Sequence, residues 1–504
     1  MTSKCVPAYR MYISVALIAC ALCGVSHAGQ INRVVIDWNH VKEVSQTTST
    51  LQVAVNPLLR RGSVVASNAF KALHELAADY VRFIPWLSYP KLVVAELEPP
   101  TSTATSWDFS LIDPVVIDFF EATTGHPAVI NFSTIPQWMW KTDKPVAYPA
   151  DPNQLTFEYT QGTQPRDPSF IEISDYFARV LSWYTQGGFT DELGGRHVSG
   201  YHQSIRYWEV LNEIESEHQM SPETYTELYD SVVTAMRKVQ PSLKFVGMAL
   251  ASPSQNPRFF EYFLDHKNHK PGIPLDCISY HFYAFGTRDE TPEVHGYTFF
   301  AQADGFLNTV RYVEAIRKRL SPETCTMINE VGGFWNDGIL TYSDKPIPSS
   351  HLYLTGALYA YLFGELTRLG IDVVGESWLL STPHERVTEK SISMLDWDTG
   401  NPNSRFRVLQ LLHDNFGPGD RIVATGEFYD PYIYVMAVIT KDADKRVLLV
   451  NKSQYSKCIQ LAGASGGQRA WVDQTTASNP PATGMVARDV ITLSGYAVMV
   501  LTLP

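Results

Sequence analysis

From about residue 30 to 415 the chain alternates between two textures. Short runs rich in β-branched and apolar residues fall at 34–38, 80–84, 128–132, 207–212, 244–248, 277–283, 326–330 and 373–378. Between them lie longer stretches in which apolar side chains recur near every third or fourth position, at 67–78, 111–123, 169–185, 222–239, 299–319 and 351–369. A strand period followed by a helix period, repeated in this way, predicts parallel strands covered by crossover helices. Eight strands close a barrel, so the pattern predicts an α/β fold, a (β/α)8 TIM barrel. Helix punctuation agrees. The stretch 222–239 opens with Ser221-Pro222-Glu223, an N-cap followed by proline in the first turn, and ends before Pro241.

After Phe416-Gly417-Pro418-Gly419-Asp420 the texture changes to short strand-like runs at 435–439, 446–450, 469–472 and 496–503, separated by Gly, Asn, Pro and Ser. The expectation is a barrel domain over 29–418 and an antiparallel β-sandwich over 419–504, to which residues near Gln30 could add a strand. Within the barrel, 133–168 carries six prolines, with Trp138 and Trp140 near its start. A loop of that length after the third strand is expected to overhang the barrel's top face as part of a cleft, with Trp138 against the ligand.

The first 28 residues read differently again. Lys4 and Arg10 precede an almost wholly apolar run at 11–25, and Ser26-His27-Ala28 supplies small residues for cleavage, so 1–28 is expected to be a signal peptide and the mature protein secreted, without a membrane anchor. Of six cysteines, three lie in that segment. Cys277, Cys325 and Cys458 are then expected to be buried thiols with at most one bridge. A net charge of −12 without a basic block argues against nucleic acid as a partner. Asn131-Phe132-Ser133 and Asn451-Lys452-Ser453 match the N-glycosylation pattern, and only Asn451, outside the strand-like runs, is a reasonable acceptor.

Barrels of this type gather their chemistry at the carboxyl ends of strands. The fourth predicted strand ends Trp208-Glu209-Val210-Leu211-Asn212-Glu213 and the seventh ends Met327-Ile328-Asn329-Glu330. Two carboxyl groups on opposite walls suit glycoside cleavage with retention, which needs an acid for the leaving oxygen and a nucleophile for the anomeric carbon, roughly 5–5.5 Å apart. Asn212 is placed to contact a sugar 2-hydroxyl. Glu215 and Glu217 read as solvated loop carboxylates. An esterase is disfavoured because no Gly-x-Ser-x-Gly elbow follows a strand. Nothing suggests a metal cluster, a P-loop or a dinucleotide fingerprint, and no cofactor is expected.

The run 208–213, with Ile278-Ser279-Tyr280-His281-Phe282-Tyr283, Asn329-Glu330 and Glu376-Ser377-Trp378, resembles the large clan A of retaining (β/α)8 glycoside hydrolases. Within it the chain is most similar to glycoside hydrolase family 39, the β-xylosidases and α-L-iduronidases, supported by 222–247 and by Gly400-Asn401-Pro402 leading to 416–420. The resemblance implies Glu213 as acid/base, Glu330 as nucleophile, Asn212 on the 2-hydroxyl, His281 beside the sugar, Tyr283 on the nucleophile, Trp378 as a platform and Arg82 near the nucleophile. Asp37 and His40, at the end of the first predicted strand, correspond to positions that hold distal hydroxyls. The expected partner is a carbohydrate, most simply a β-linked neutral sugar such as a β-xyloside, because no fixed cation for a uronate is evident. The alternatives are another clan A specificity, acting on β-glucan, β-mannan, glucuronide or iduronide linkages, or a carbohydrate-binding barrel without catalysis.

Overall fold

The computed structural model describes residues 32–504 except 87, 143, 145–146, 157–162, 287–290, 336–346, 382–386, 427 and 429, so the expected signal segment lies outside the described residues. Eight parallel strands close into a barrel: β1 (Thr48–Ala54), β2 (Val81–Ile84), β3 (Ala128–Ile130), β4 (Tyr207–Glu209), β5 (Lys244–Leu250), β6 (Cys277–Phe285), β7 (Cys325–Phe334) and β8 (Val373–Glu376). Each pairs with its successor, and β8 returns to β1 with Val373 opposite Thr48. Helices cover the outside. Ser221 caps helix Pro222–Val239 by accepting from the Thr224 amide, and that helix buries Tyr225, Leu228, Val232 and Met236 at helical spacing. Among the described residues no helix is long and apolar enough to cross a membrane.

Cys277 and Cys325 begin β6 and β7, sit opposite each other in register, and are joined by a disulfide; Cys458 is not part of it. The bridge lies at the amino-terminal end of the barrel, joining the first residues of both strands, with Glu330 further along β7.

The carboxyl-terminal strands form a sandwich of a seven-stranded and a three-stranded sheet. Val435, Ala437, Val447, Leu449 and Leu501 alternate along their strands into its core. The first barrel strand is not at 34–38. Ile36–Val44 is the edge strand of the seven-stranded sheet, antiparallel to Arg421–Thr425, and Asn32–Val34 pairs with Lys457–Leu461. The reason lies in β1, whose Thr48, Ser49, Thr50 and Gln52 look polar although Ser49, Thr50 and Gln52 are at most 2% exposed. A barrel strand is wrapped on both faces, so its lumen-facing polar residues break the apolar run that marks it. Asp37 and His40 are consequently exposed on the sandwich and far in the topology from the strand ends, which corrects their assignment to a sugar site. Asn451 is also corrected as a glycan acceptor: it is fully buried, and its amide donates to the carbonyls of Tyr455 and Ser494. Asn131 is equally buried.

Candidate active site

Past Glu209 the chain leaves β4 through two left-handed residues, Leu211 at φ 62° and Glu213 at φ 40°. Each such non-glycine conformation costs about 1–3 kcal/mol and persists only where its surroundings impose it. Here the Asn131 amide donates to the Leu211 carbonyl at 2.9 Å, and the Glu213 amide to the Ala249 carbonyl at 2.9 Å. Trp378, just beyond β8, is likewise left-handed at φ 65°. Glu213 and Trp378 both line one pocket of about 670 Å³ at the carboxyl end of the barrel, whereas Leu211 is fully buried.

Glu330, from β7, is held from four directions. Its Oε1 accepts from Gln52 Nε2 at 2.7 Å and from the Arg82 guanidinium, and its Oε2 from the Tyr283 hydroxyl at 2.7 Å, with His281 Nδ1 at 3.5 Å. Burial pushes this carboxyl's pKa up, but the positive charges of His281 and Arg82 and the Tyr283 hydrogen bond outweigh it, so the net shift is downward. Trp378 Nε1 donates to the Tyr283 hydroxyl at 2.9 Å, fixing the ring. Gly332 and Gly333 continue β7, and a Cβ at Gly332 would lie 2.6 Å from Ser377 Oγ and 2.9 Å from the Tyr283 ring, so glycine lets those side chains close in beside Glu330.

Glu213 faces Glu330 across His281, whose Nδ1 lies 2.9 Å from Glu213 Oε1. Burial pulls the imidazole pKa down, yet the two carboxyl groups overcome this and raise it, which favours a proton on Nδ1 between them. The exposures differ: the Glu213 side chain is 23% accessible and that of Glu330 6%. One carboxyl group reaches solvent, and the other is shielded from it.

Beneath them Glu209 ties the barrel together. It is fully buried and accepts from Arg82 Nε at 2.6 Å, Asn131 Nδ2 at 2.6 Å, Ser279 Oγ at 2.5 Å and Asn329 Nδ2 at 2.7 Å, residues of four different strands or strand ends. All three Arg82 nitrogens are engaged, by Glu209, by Glu330 and, at 2.6 Å, by Asn212 Oδ1. Arg82 is thus a fixed counter-charge rather than a cation free for ligand.

Asn212, Glu213, His281, Tyr283, Glu330 and Trp378 line the pocket together, with Arg82 behind Glu330. Trp138 does not: its indole donates to the Glu96 carbonyl at 3.0 Å and Arg166 stacks over it at 4.6 Å, so it stabilises its own loop. Four residues that shape the site escaped sequence reasoning. Gln52 sits on the strand that polar residues disguised. Trp86, two residues past β2, obeys the strand-end rule and was findable by it. Glu217 was taken for a solvated loop acid, and so was Glu215. Instead Glu217 accepts from Trp86 Nε1 at 2.7 Å and Asn212 Nδ2 at 2.9 Å, and Glu215 accepts from the Ser252 amide at 2.7 Å, holding the loop whose residues 251–255 wall the pocket.

Glu213, His281 and Glu330 place ligand atoms within 4.8 Å of one another. As a metal site the set is poor, because Glu330 already carries the Arg82 guanidinium and a protonated His281 offers no lone pair at Nδ1. As an acid and nucleophile pair it is well formed: one accessible carboxyl group to exchange a proton and one buried anion to attack, at the spacing a direct displacement needs.

No protein-family model matches the sequence, and no curated protein matches it. Solved structures do resemble it in fold. A glucosidase from Croceicoccus marinus superposes with a TM-score of 0.61 at 15% identity, covering 94% of this chain and 99% of that one. AbfB, a family 51 alpha-L-arabinofuranosidase from Bifidobacterium longum, gives 0.60 at 13% over the same shares. A GH30 endoxylanase from Clostridium papyrosolvens gives 0.57 at 12%, again covering 94% and 99%. The chain therefore shares a TIM-barrel fold with a carboxyl-terminal β-domain across nearly its whole length.

Proposed function

We propose that this protein is a secreted retaining glycoside hydrolase that cleaves β-linked neutral glycosides, β-xylosides foremost, by double displacement. The observation that carries the proposal is the pairing of Glu213 and Glu330 within 4.8 Å, one accessible and one buried beside Arg82. Glu330 attacks the anomeric carbon while Glu213 protonates the departing oxygen, giving a covalent glycosyl-enzyme; Glu213 then takes a proton from water, which releases the sugar with its configuration retained. His281, Arg82 and Tyr283 keep the nucleophile ionised, and Trp86 and Trp378 offer apolar faces to the sugar ring.

A neutral sugar is favoured because no lysine or arginine among the described residues lines the pocket, while a bound uronate would need a free cation. Similarity in fold to a glucosidase, an endoxylanase and an arabinofuranosidase is compatible with this reading, and the 222–247 stretch with Gly400-Asn401-Pro402 leading to 416–420 favours family 39 within clan A. Secretion rests on the apolar leader and on the Cys277–Cys325 bridge, which suits an oxidising compartment.

The test is Glu330→Gly assayed against aryl glycosides of xylose, glucose, galactose, arabinose and iduronic acid. Turnover should be lost and partly restored by azide, yielding a glycosyl azide of inverted configuration. A 2-fluoro sugar should label Glu330 in the native enzyme. Undiminished activity in Glu330→Gly would end the proposal, and native protein that neither labels nor turns over would leave a barrel that only binds carbohydrate.

A further inference from the structure

We infer that Glu217 is a positioning residue that fixes Asn212 and Trp86 together, so that one Asn212 N–H is presented to the 2-hydroxyl of the bound sugar. The identity of that hydroxyl rests on the glycosidase reading; the arrangement of the three side chains does not.

An asparagine amide has one acceptor and two N–H donors, and its orientation is settled only when its partners differ. Asn212 Oδ1 is fixed by Arg82 Nη2 at 2.6 Å, and one N–H by Glu217 Oε1 at 2.9 Å, which leaves the other N–H for the pocket that Asn212 lines. The same Glu217 oxygen accepts the Trp86 indole N–H at 2.7 Å, and Trp86 stands edge-on to Trp378 with ring centres 5.4 Å apart. A single oxygen atom thus sets two walls of the sugar site. Glu217 is itself fixed, its amide donating to the Glu213 carbonyl at 2.8 Å, and the next residue, His218, stacks beneath Trp140 at 4.7 Å.

The other oxygen, Oε2, is buried without a hydrogen-bond partner, an expensive state for an anion flanked by Glu213 and Glu330. Burial first, then the charge of Glu213, pushes this carboxyl up to about 8 despite the Trp86 and Asn212 hydrogen bonds. At neutral pH the group is therefore an uncharged acceptor. A third carboxyl group can stand beside the catalytic pair without opposing the charge of the nucleophile.

The experiment compares native enzyme, Glu217→Ala, Glu217→Gln and Asn212→Ala on the best aryl glycoside and on its 2-deoxy counterpart. A 2-hydroxyl contact that strengthens in the transition state predicts a loss of roughly 30-fold or more in kcat/KM for Glu217→Ala on the 2-hydroxy substrate, less than about threefold on the 2-deoxy substrate, and substantial recovery in Glu217→Gln. Equal losses on both substrates, or none, would overturn the assignment. A second readout needs no turnover: in ¹⁵N-tryptophan TROSY spectra the Trp86 indole signal, assigned with Trp86→Phe, should lie downfield in native protein and Glu217→Gln and move upfield in Glu217→Ala. An indole signal insensitive to Glu217→Ala refutes the positioning role outright. If the indole responds while the native protein cleaves no glycoside, positioning stands and the hydrolase reading fails.

Discussion

Tyr283→Phe removes one hydroxyl and tests how Glu330 is kept ionised. The hydroxyl donates to Glu330 Oε2 at 2.7 Å and accepts from Trp378 Nε1 at 2.9 Å. A hydrogen bond to a charged partner contributes about 1.5–3 kcal/mol, and one pH unit corresponds to about 1.4 kcal/mol, so its loss should raise the Glu330 pKa by about 1–2 units. The sign follows from the state being stabilised. The bond favours the anion, so without it Glu330 needs a higher pH to ionise, and the acidic limb of kcat/KM moves up by that amount. Arg82, His281 and Gln52 remain, so ionisation is weakened rather than abolished. The assay is kcat/KM against pH from 3 to 9, with an aryl glycoside whose good leaving group makes protonation by Glu213 unimportant. A fall of roughly 10- to 100-fold near the native acid limb, shrinking toward neutral pH, is expected. If the limb does not move while kcat falls equally at every pH, Tyr283 acts by packing alone and the electrostatic account of Glu330 is wrong.

Three further outcomes follow from specific contacts. Gly332→Ala would push a methyl to 2.6 Å from Ser377 Oγ and 2.9 Å from the Tyr283 ring, so kcat/KM should fall at least about 10-fold with a stability loss of about 1–3 kcal/mol in urea melts. Glu96 is fully buried, both its oxygens lack partners, and burial followed by repulsion from Glu192 raises it to about 8. Its folded pKa exceeds the unfolded one, so its stability contribution is complete below about pH 4.5 and disappears as pH rises through 8, a change of at most about 5 kcal/mol, or 2–3 after solvent relaxation. Glu96→Gln should therefore lose less stability than the native protein between pH 5 and 9, and parallel losses would refute the assignment. Replacing both Cys277 and Cys325 with Ser opens a crosslink between residues 48 apart and should cost about 3–4 kcal/mol in melts, leaving kcat at 25 °C little changed because the bridge is at the opposite end of the barrel.

Much of the barrel is legible because strands such as Val81–Ile84 and Val373–Glu376 are buried on both faces and read as short apolar runs, with helices of the right period between them. The same rule fails at Thr48–Ala54. Its lumen is polar where it meets the site, Gln52 contacting Glu330 from there, and the neighbouring Ile36–Val44 offers a more strand-like decoy that belongs to the sandwich. Glu213 and Glu330 were legible as acids closing strands. His281, Tyr283 and Trp378 were reached only through motif resemblance, since nothing in their spacing distinguishes a ligand-facing ring from a core one.

Glu217 marks a different limit. In Glu213-Ile214-Glu215-Ser216-Glu217-His218 three acids alternate with other residues, which reads as a solvated loop, because like charges in a row are normally separated by water. The folded chain instead turns sharply at Glu213, φ 40°, and brings the Glu217 amide back to the Glu213 carbonyl. Glu213 is left partly accessible while the carboxyl oxygens of Glu215 and Glu217 are drawn inward toward Ser252, Trp86 and Asn212. Burial, followed by the charge of Glu213, pushes the Glu217 carboxyl up to about 8, so near neutral pH it adds little charge beside Glu213 and Glu330. Local sequence cannot reveal this, since the burial that raises the carboxyl most comes from the folded pocket, and Glu330, whose charge also raises it, arrives from strand β7.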